Sequence, residues 1–497
     1  MKNTPFYTLI VCTACLVYVL TAFFSSGYYH ADEQYQIIEF AGYKLGTHQP
    51  HELAWEFRER IRPSLQPVLA SGVLATLSGL GIRDVYTQAF VLRLLTALFA
   101  LFTVHRFVQA TLYLVRRRNR SLYAGLSFLL WFLPVLYVRF SSETWSGLTF
   151  LLALGMLLSR KKEQNFFGIG ALLGLSFLFR FQSAFMSGGL LLWMLFIQRT
   201  KWQDLLRTVG GGLAVLLPGL LSDYLFYGTF TCTFWNYFHA NIVKDVASEY
   251  GVSPWFYYLE SIINYPTHFF GICILLAFVT LLVRDPKNVL LWVMVPFIVL
   301  HSFIPHKEER FLFPLAGMVP LLLVLAWQQW QGIRLPSLWQ KGMRVAGIVI
   351  FSILFIVNAT GLAAMMLKPA GLGRMKVSAY IQRHYPEQDI HLVFCSWSNP
   401  YTPWSLEAKF YRNPQVKATE ISTLAELDTL QLKRAPVQLV VARKEDIAYN
   451  NGAAALQRNG YTKKMQSVPQ WIVCINSRLK LLDNKQVLEL YAREPER

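Results

Sequence analysis

The sequence predicts a polytopic α-helical membrane protein with a small α/β domain at its C-terminal end. The 497 residues are 54% hydrophobic and only 15% charged, whereas soluble domains carry about 25% charged residues. Apolar runs long enough to cross a bilayer recur along the first three quarters of the chain. From about residue 370 they give way to short apolar segments separated by polar ones, a pattern typical of alternating strands and helices.

The apolar runs predict about eleven transmembrane helices. They cover residues 6–24, 85–115, 122–137, 145–158, 166–179, 184–197, 205–226, 268–283, 289–303, 311–327 and 345–366. No A-x-A cleavage site follows the first run, so we interpret it as an uncleaved span and not as a signal peptide. We therefore expect a transmembrane domain over residues 1–369, whose first extracytoplasmic loop is 25–67, and a soluble domain over residues 370–497.

The positions of lysine and arginine predict the orientation in the membrane. Basic clusters occur in every second connection, at residues 116–120, 160–162, 199–201, 284–287 and 334–344. The positive-inside rule places these connections in the cytoplasm. The opposite face then carries the first loop, the other connections and the C-terminal domain. The formal charge of +18 is explained by this distribution, and we exclude nucleic acid as a partner.

The C-terminal domain and the cysteines are described by simpler patterns. Residues 391–394, 437–441 and 471–475 are predicted strands, and residues 375–384 and 451–459 are predicted helices. The six cysteines are scattered and show no metal-ligand spacing, so we predict no metal and no cofactor. Whether Cys395 and Cys474 pair stays open, because it depends on an extracytoplasmic location.

Ionisable and polar residues gather on the predicted outer face. Asp32 and Glu33 follow the first span, and five polar or charged residues separate two apolar runs at 306–310. Arg180 interrupts apolar sequence, where a charge is costly and indicates a cavity. A carboxylate can act as general base toward a hydroxyl group, and cations can stabilise a departing phosphate. This combination at a bilayer surface suits sugar transfer from a lipid phosphate.

Each of these features also has a structural interpretation. Asp32 and Glu33 could cap a helix, and Arg139 could anchor the end of a span. Arg180 could belong to a structural ion pair, and residues 306–310 could form a solvated loop. A transporter or flippase of a lipid-linked saccharide would place charges in the membrane without a base, so it remains an alternative function.

Several motifs, occurring in order over residues 6–320, resemble a known family. It is the family of lipid-phosphate-mannose-dependent mannosyltransferases of glycosylphosphatidylinositol and N-glycan precursor assembly, which is glycosyltransferase family 22 with the GT-C fold. The matching segments are ADEQYQIIEFA (31–41), AWEFRERIRPSLQP (54–67), RFSSE (139–143), SDYLFYGTF (222–230), WNYFHANIV (235–243), SEYGVSPWFYYL (248–259) and HKEERFLFPL (306–315).

The resemblance implies an inverting, metal-independent transfer of mannose from a polyprenyl- or dolichyl-phosphate donor to a lipid-linked glycan or glycolipid. It implies that Asp32 is the catalytic base, with Glu33 beside it. The donor phosphate would contact Lys307 and Arg310, with His306 nearby, and we add Arg180 to this set. The predicted substrate-binding residues are Trp55, Glu56, Arg62, Glu143, Gln182, Asn241 and Glu309.

Two departures from the family pattern leave the acceptor open. Arg180-Phe181-Gln182 stands where family members often have Arg-Pro-Thr, and Ala31 stands where a proline usually precedes the acidic pair. A GT-C transferase of another sugar, such as an aminoarabinose or glucose, is therefore a further alternative. We expect a multi-pass protein of the bacterial inner membrane, or alternatively of the endoplasmic reticulum, with its active site on the periplasmic or lumenal face.

Overall fold

A computed structural model describes residues 5–160, 163–332, 337–402, 406–430, 437–470 and 487–493. Within it the chain forms two compact units. The first contains Met1–Phe24, Trp55–Val73 and Val91–Leu367, and the second contains Ser25–Ala54, Leu74–Phe90 and Lys368–Arg497. The sequence led us to group the whole first loop, 25–67, with the transmembrane domain. In the structure residues 25–54 instead cluster with the C-terminal residues.

Long apolar helices make up most of the first unit. Among the described residues, five helical stretches are long and apolar enough to cross a membrane: Pro5–Phe24, Val85–Leu114, Trp202–Tyr227, Glu309–Trp330 and Val345–His384. The helices His268–Arg284 and Val289–Ser302 form a further pair, bent by 118°. Four shorter apolar helices are Leu65–Gly79, Ser142–Leu158, Phe166–Phe179 and Ser183–Phe196. These elements compare with the eleven predicted spans.

One predicted span, 122–137, is broken in two. The helix Arg120–Leu129 ends before Leu130, whose backbone is extended, and a second helix covers Leu133–Tyr137. Pro134 lies in the first turn of that second helix, where its missing N–H costs nothing. A proline further inside a continuous helix would clash with the preceding turn, so the sequence favours a new helix here.

Smaller helices complete the first unit. The α-helices are Trp55–Glu59, Thr233–Phe238, Val246–Glu249, Tyr257–Asn264, Val319–Trp330 and Ser337–Leu367, the 3₁₀-helices are Leu112–Leu114, Arg117–Asn119 and Glu309–Met318, and His239–Val243 is a π-helix. The long helix listed as Val85–Leu114 is α-helical over Val85–Thr111.

Glycines let two apolar helices of the first unit approach each other closely. A Cβ atom on Gly170 of Phe166–Phe179 would lie 1.8 Å from the carbonyl oxygen of Thr208 in Trp202–Tyr227. A Cβ on Gly211 would lie 2.1 Å from the carbonyl oxygen of Phe167. Small residues at such contacts are the usual way in which membrane helices pack backbone against backbone.

We therefore expect Gly170→Ala to lower the melting temperature of the detergent-solubilised protein. The added methyl group must push the two backbones apart, and overpacking of this kind costs about 1–3 kcal/mol. Gly188→Ala is the matched control, because nothing lies within 4 Å of its Cβ position. That change should be neutral or slightly stabilising, since alanine is the better helix former. Equal melting temperatures for the two variants would contradict the close contact.

The second unit begins with a helical segment that follows the first span. Its backbone is α-helical over Ala31–Glu33, widens to a π-helix over Gln34–Ile38, and is α-helical again over Glu39–Lys44. A short 3₁₀-helix covers Pro50–Glu52. The helices nearer the C-terminus are Leu372–His384, Lys444–Ala448 and Gly452–Arg458, and the 3₁₀-helices are Ser396–Ser398, Lys409–Tyr411, Leu424–Asp428 and Tyr449–Asn451.

A five-stranded sheet forms the centre of the C-terminal part. Its strands are β1 Ile390–Cys395, β2 Val416–Ile421, β3 Val437–Arg443, β4 Thr462–Gln466 and β5 Leu488–Arg493. They lie in the order β2-β1-β3-β5-β4, with β2, β1 and β3 parallel and the other pairings antiparallel. The predicted α/β domain is confirmed. The predicted strand 471–475 and Cys474 lie outside the described residues.

Both faces of this sheet are buried. Val377 and Ile381 of the helix Leu372–His384 pack on one face, and Leu456 of Gly452–Arg458 packs on the other. Strands covered on both sides are apolar throughout, as residues 437–442 are. This explains why the strand signal in the sequence was strongest here.

Candidate active site

A buried carboxylate in the first unit joins two arginines that are distant in sequence. Oε1 of Glu143 accepts a hydrogen bond from Nη1 of Arg180 at 2.7 Å and another from Nη1 of Arg310 at 2.8 Å. The three residues are only 3%, 5% and 7% exposed. Hydrogen bonds between charged groups at these distances belong to the stronger class. We refer to these three residues as the arginine–glutamate cluster.

Local structure explains how the cluster forms. Glu143 lies in the first turn of Ser142–Leu158, where Ser141 caps the helix and the helix dipole favours a negative charge. Arg180 directly follows Phe166–Phe179 in an extended conformation. A cation is favourable at that end of a helix. The two helix ends thus present opposite charges to each other, and the expectation that Arg180 is compensated inside apolar sequence is met by Glu143.

The stretch 306–310, which we call the charged pentad, folds onto itself. Arg310 donates to both carboxylate oxygens of Glu308, from Nε at 2.7 Å and from Nη2 at 3.0 Å. The ring of His306 lies 2.9 Å from the same carboxylate. Since Arg310 also belongs to the arginine–glutamate cluster, the pentad and the cluster form one network. The alternative of a solvated loop is wrong, because Lys307 and Arg310 are buried.

Lys307 differs from the other cations of this network. Its Nζ donates to the carbonyl oxygens of Ser253 at 2.8 Å and Pro305 at 3.4 Å. Among the residues that the structure describes, no carboxylate pairs with it, although it is only 6% exposed. Burial lowers the pKa of Lys307. A buried ammonium group without a counter-charge is unfavourable, so an anion bound beside it would be stabilised.

Aromatic rings connect the segment 55–62 to the pentad. Trp55 stacks on Tyr250, with ring centres 6.3 Å apart and an interplanar angle of 19°. Tyr250 in turn meets the His306 ring edge-on at 6.0 Å. The predicted substrate residue Trp55 is therefore linked to the predicted phosphate site through one tyrosine. Tyr250 lies in the motif SEYGVSPWFYYL, but the sequence gave no reason to single it out.

A second tyrosine collects three more predicted residues. The side-chain amide of Gln182 donates to Oη of Tyr237 at 2.5 Å. The guanidinium of Arg62 lies 5.6 Å from the centre of the Tyr237 ring, within range of a cation–π interaction. Arg62 is also 3.7 Å from a carboxylate oxygen of Glu56. The amide of Asn241 donates to the Tyr237 carbonyl oxygen at 3.0 Å, a local bond within the same helical turn.

Glu309 and Phe311 complete the network. Oη of Tyr257 donates to Glu309 at 3.0 Å, and burial together with the charge of Glu309 raises the pKa of Tyr257, which keeps it a donor. The guanidinium groups of Arg180 and Arg310 lie 4.9 and 5.0 Å from the centre of the Phe311 ring. Sequence reasoning missed Phe311 and Glu308, although both lie inside the quoted motif. It assigned Tyr257 to an interfacial belt.

The remaining predicted residues, Asp32 and Glu33, belong to the second unit. His30 is the N-cap of their short helix, and its Nδ1 accepts the backbone N–H of Asp32 at 3.3 Å. The same nitrogen is 3.8 Å from the Asp32 carboxylate. A nitrogen that accepts cannot also donate, so this second approach is proximity and not a hydrogen bond. The Asp32 side chain is 18% exposed, whereas Glu33 is buried.

Comparisons with known proteins support the predicted family. A sequence model described as the Alg9-like mannosyltransferase family matches residues 9–402. GPI mannosyltransferase 3 of Eremothecium gossypii is 30% identical over 294 residues, which are 54% of this chain and 47% of that protein. GPI alpha-1,2-mannosyltransferase 3 of Bos taurus is 22% identical over 422 residues, 81% of this chain and 73% of that protein. The aligned part thus spans about half of the first relative.

Two solved structures share the fold. ArnT from Cupriavidus metallidurans bound to undecaprenyl phosphate has a TM-score of 0.55 at 12% identity, covering 99% of this chain and 100% of that one. The same protein in the apo state gives a TM-score of 0.51 at 13% identity, covering 100% of both chains. At this identity the likeness concerns the fold alone, and it confirms the predicted GT-C fold.

Proposed function

Because the chain belongs to the Alg9-like mannosyltransferase family, we propose that it transfers mannose from a polyprenyl- or dolichyl-phosphate donor to a lipid-linked glycan or glycolipid. The observation that carries this proposal is the buried ammonium group of Lys307, which is bonded to carbonyl oxygens beside a network of paired charges. The relative named GPI alpha-1,2-mannosyltransferase 3 and the undecaprenyl phosphate bound to ArnT support the sugar and the donor class.

Lys307 is the residue that we assign to the donor phosphate directly. Arg180 and Arg310 share the single oxygen Oε1 of Glu143, so part of their charge is already compensated. Their proposed contribution is the positive field at the site and the rigid placement of the pentad. The ammonium group of Lys307 has no such partner among the described residues, and a phosphate would restore the charge balance that burial disturbs.

The proposed reaction is a single displacement at the anomeric carbon. The acceptor hydroxyl oxygen attacks C1 of the mannosyl group, and Asp32 takes its proton as general base. The bond between C1 and the phosphate oxygen breaks, and the lipid phosphate leaves as an anion, so the configuration at C1 inverts. Negative charge grows on the phosphate during this step, and preorganised cations are most effective where charge develops.

Lys307→Ala should lower kcat/KM for the mannosyl-phosphate lipid by about 10–100-fold. The change removes a charge-assisted hydrogen bond of about 1.5–3 kcal/mol. Initial rates of transfer from a polyprenyl-phosphate mannose, measured in detergent or nanodiscs, test this. Lys244→Ala is the matched control, because that lysine is exposed and pairs weakly with Glu59 at 4.0 Å. Unchanged donor kinetics in a folded Lys307→Ala protein would refute the phosphate assignment.

The same assay separates the alternatives. A flippase would move a labelled lipid-linked saccharide across a liposome bilayer and give no glycosylated product. A transferase of another sugar would prefer a glucose- or aminoarabinose-phosphate lipid when donors compete. We propose that the site faces the periplasm or the lumen, in a bacterial inner membrane or the endoplasmic reticulum. Labelling of a cysteine introduced at position 308 from the cytoplasmic side only would overturn that orientation.

A further inference from the structure

The C-terminal part of the second unit holds the segment that carries Asp32 at points on both sides of it. Before Asp32, the carbonyl oxygen of Ser26 accepts the backbone N–H of Gly371 at 3.1 Å. After Asp32, Oη of Tyr35 donates to the carbonyl oxygen of Leu406 at 2.6 Å. Residues from two regions more than 300 positions away in sequence therefore fix the chain before and after the proposed base.

A buried carboxylate forms the strongest of these connections. Oε1 of Glu39 accepts hydrogen bonds from the side-chain amide of Gln34 at 2.6 Å and from the backbone N–H of Phe410 at 3.3 Å. Its other oxygen is hydrogen-bonded to the ring of His48. Glu39, Gln34 and His48 are 3%, 1% and 6% exposed. Since a buried carboxylate is tolerated only when it is fully hydrogen-bonded, Glu39 requires all three partners in place.

Apolar packing supports the same connection. Gly27 has a φ of +81°, and a Cβ there would lie 2.3 Å from Cγ of Met375. Only glycine fits both the left-handed backbone and the close approach. One buried cluster then joins residues of the first loop and of the C-terminal part, consisting of Tyr28, Tyr35, Ala89, Met375, Ala408 and Tyr411.

The helix that carries Asp32 needs such support. Asp32 lies in its first turn, and the backbone widens into a π-helix directly afterwards, over Gln34–Ile38. A π-turn is rare and strained, and it occurs most often near functional sites. Every residue of this turn is buried. The turn ends at Glu39, so the direction of the first turn depends on how Glu39 and Tyr35 are held.

We propose that residues 406–411, the docking segment, position the general base, and that Glu39 and Tyr35 are the positioning residues through which they act. This inference rests on the proposed function, in which Asp32 is the base. It gives the C-terminal domain a role in catalysis: its docking segment keeps the Asp32 carboxylate in one orientation. Neither Glu39 nor Tyr35 takes part in the proton transfer.

Two variants test the positioning role. Tyr35→Phe deletes the hydrogen bond to Leu406 and should lower kcat about 5–10-fold, and Glu39→Ala should lower it about 10–100-fold, because small displacements of a catalytic group are costly in rate. KM for donor and acceptor should not change. Tyr86→Phe is the matched control: its hydroxyl donates to Ser378 at 2.8 Å in the same unit, away from the Asp32 helix. It should keep kcat.

Combination with Asp32→Asn distinguishes positioning from a general loss of structure. If Glu39 and Tyr35 act through Asp32, their replacement should not lower the residual rate of Asp32→Asn further, because residues that act as a unit are not additive. An additional loss as large as in the parent protein would refute the proposal, as would a full kcat in a folded Tyr35→Phe protein. Full activity of Asp32→Asn alone would instead refute the proposed function.

Discussion

Replacing Asp32 with asparagine is expected to lower kcat for sugar transfer by about 10²–10⁴-fold, the usual contribution of a positioned general base. Asparagine has the same shape but cannot accept the proton of the acceptor hydroxyl. The fold should survive, because the Asp32 side chain is partly exposed and its favourable position in the first turn of a helix contributes only about 0.3–1 kcal/mol. KM for the donor should change little, since the phosphate contacts are elsewhere in the chain.

The measurement is a single-turnover assay with labelled mannosyl-phosphate lipid, which separates the chemical step from product release. Glu52→Gln is the control within the same loop. Its carboxylate accepts the backbone N–H of Gln49 and pairs with Lys409, and these two interactions lower the pKa of Glu52. That change should affect stability slightly and kcat not at all. If Glu33→Gln abolished transfer while Asp32→Asn retained it, the base would have to be reassigned to Glu33.

The sequence was sufficient for the features that depend on periodicity and motif order. Apolar length predicted the membrane helices, and the alternation after residue 370 predicted the strands Ile390–Cys395 and Val437–Arg443. The motif at 306–315 identified the family. Positions interrupting apolar sequence, such as Arg180, were correctly expected to need a compensating group.

The partners of those residues could not be predicted, because they depend on tertiary contacts that have no sequence period. Nothing in the sequence indicates that Arg180 and Arg310 share one oxygen of Glu143. Lys307 looks like any charged residue of a loop, and only the fold directs it to the carbonyl oxygens of Ser253 and Pro305.

The grouping of residues 25–54 with the C-terminal part is a further case. It depends on contacts such as that between Tyr35 and Leu406, which join a membrane-proximal loop to a domain that the composition marks as separate. Composition shifts locate a boundary along the chain, but they carry no information about which earlier segment folds with the later one. The π-helix after Asp32 is equally invisible, because the segment reads as an ordinary amphipathic helix.

Glu143→Gln is expected to destabilise the protein by about 3–5 kcal/mol, the cost of removing one partner from a buried ion pair. The amide can still accept one hydrogen bond, but it leaves the buried guanidinium groups of Arg180 and Arg310 without the charge they share. Because Arg310 also holds Glu308 of the pentad, donor binding should weaken along with stability. Thermal or denaturant unfolding in a fixed detergent measures the first effect.

A double-mutant cycle shows whether charge is the cause. Adding Arg180→Gln to Glu143→Gln removes one of the two uncompensated cations, so the double variant should be more stable than the sum of the single losses predicts, by about 0.5–3 kcal/mol for residues in contact. Glu260→Gln, at an exposed position, controls for the loss of a carboxylate as such. Strict additivity would mean that the cluster is held by packing around Phe311 and not by charge, and the electrostatic account of this site would then be wrong.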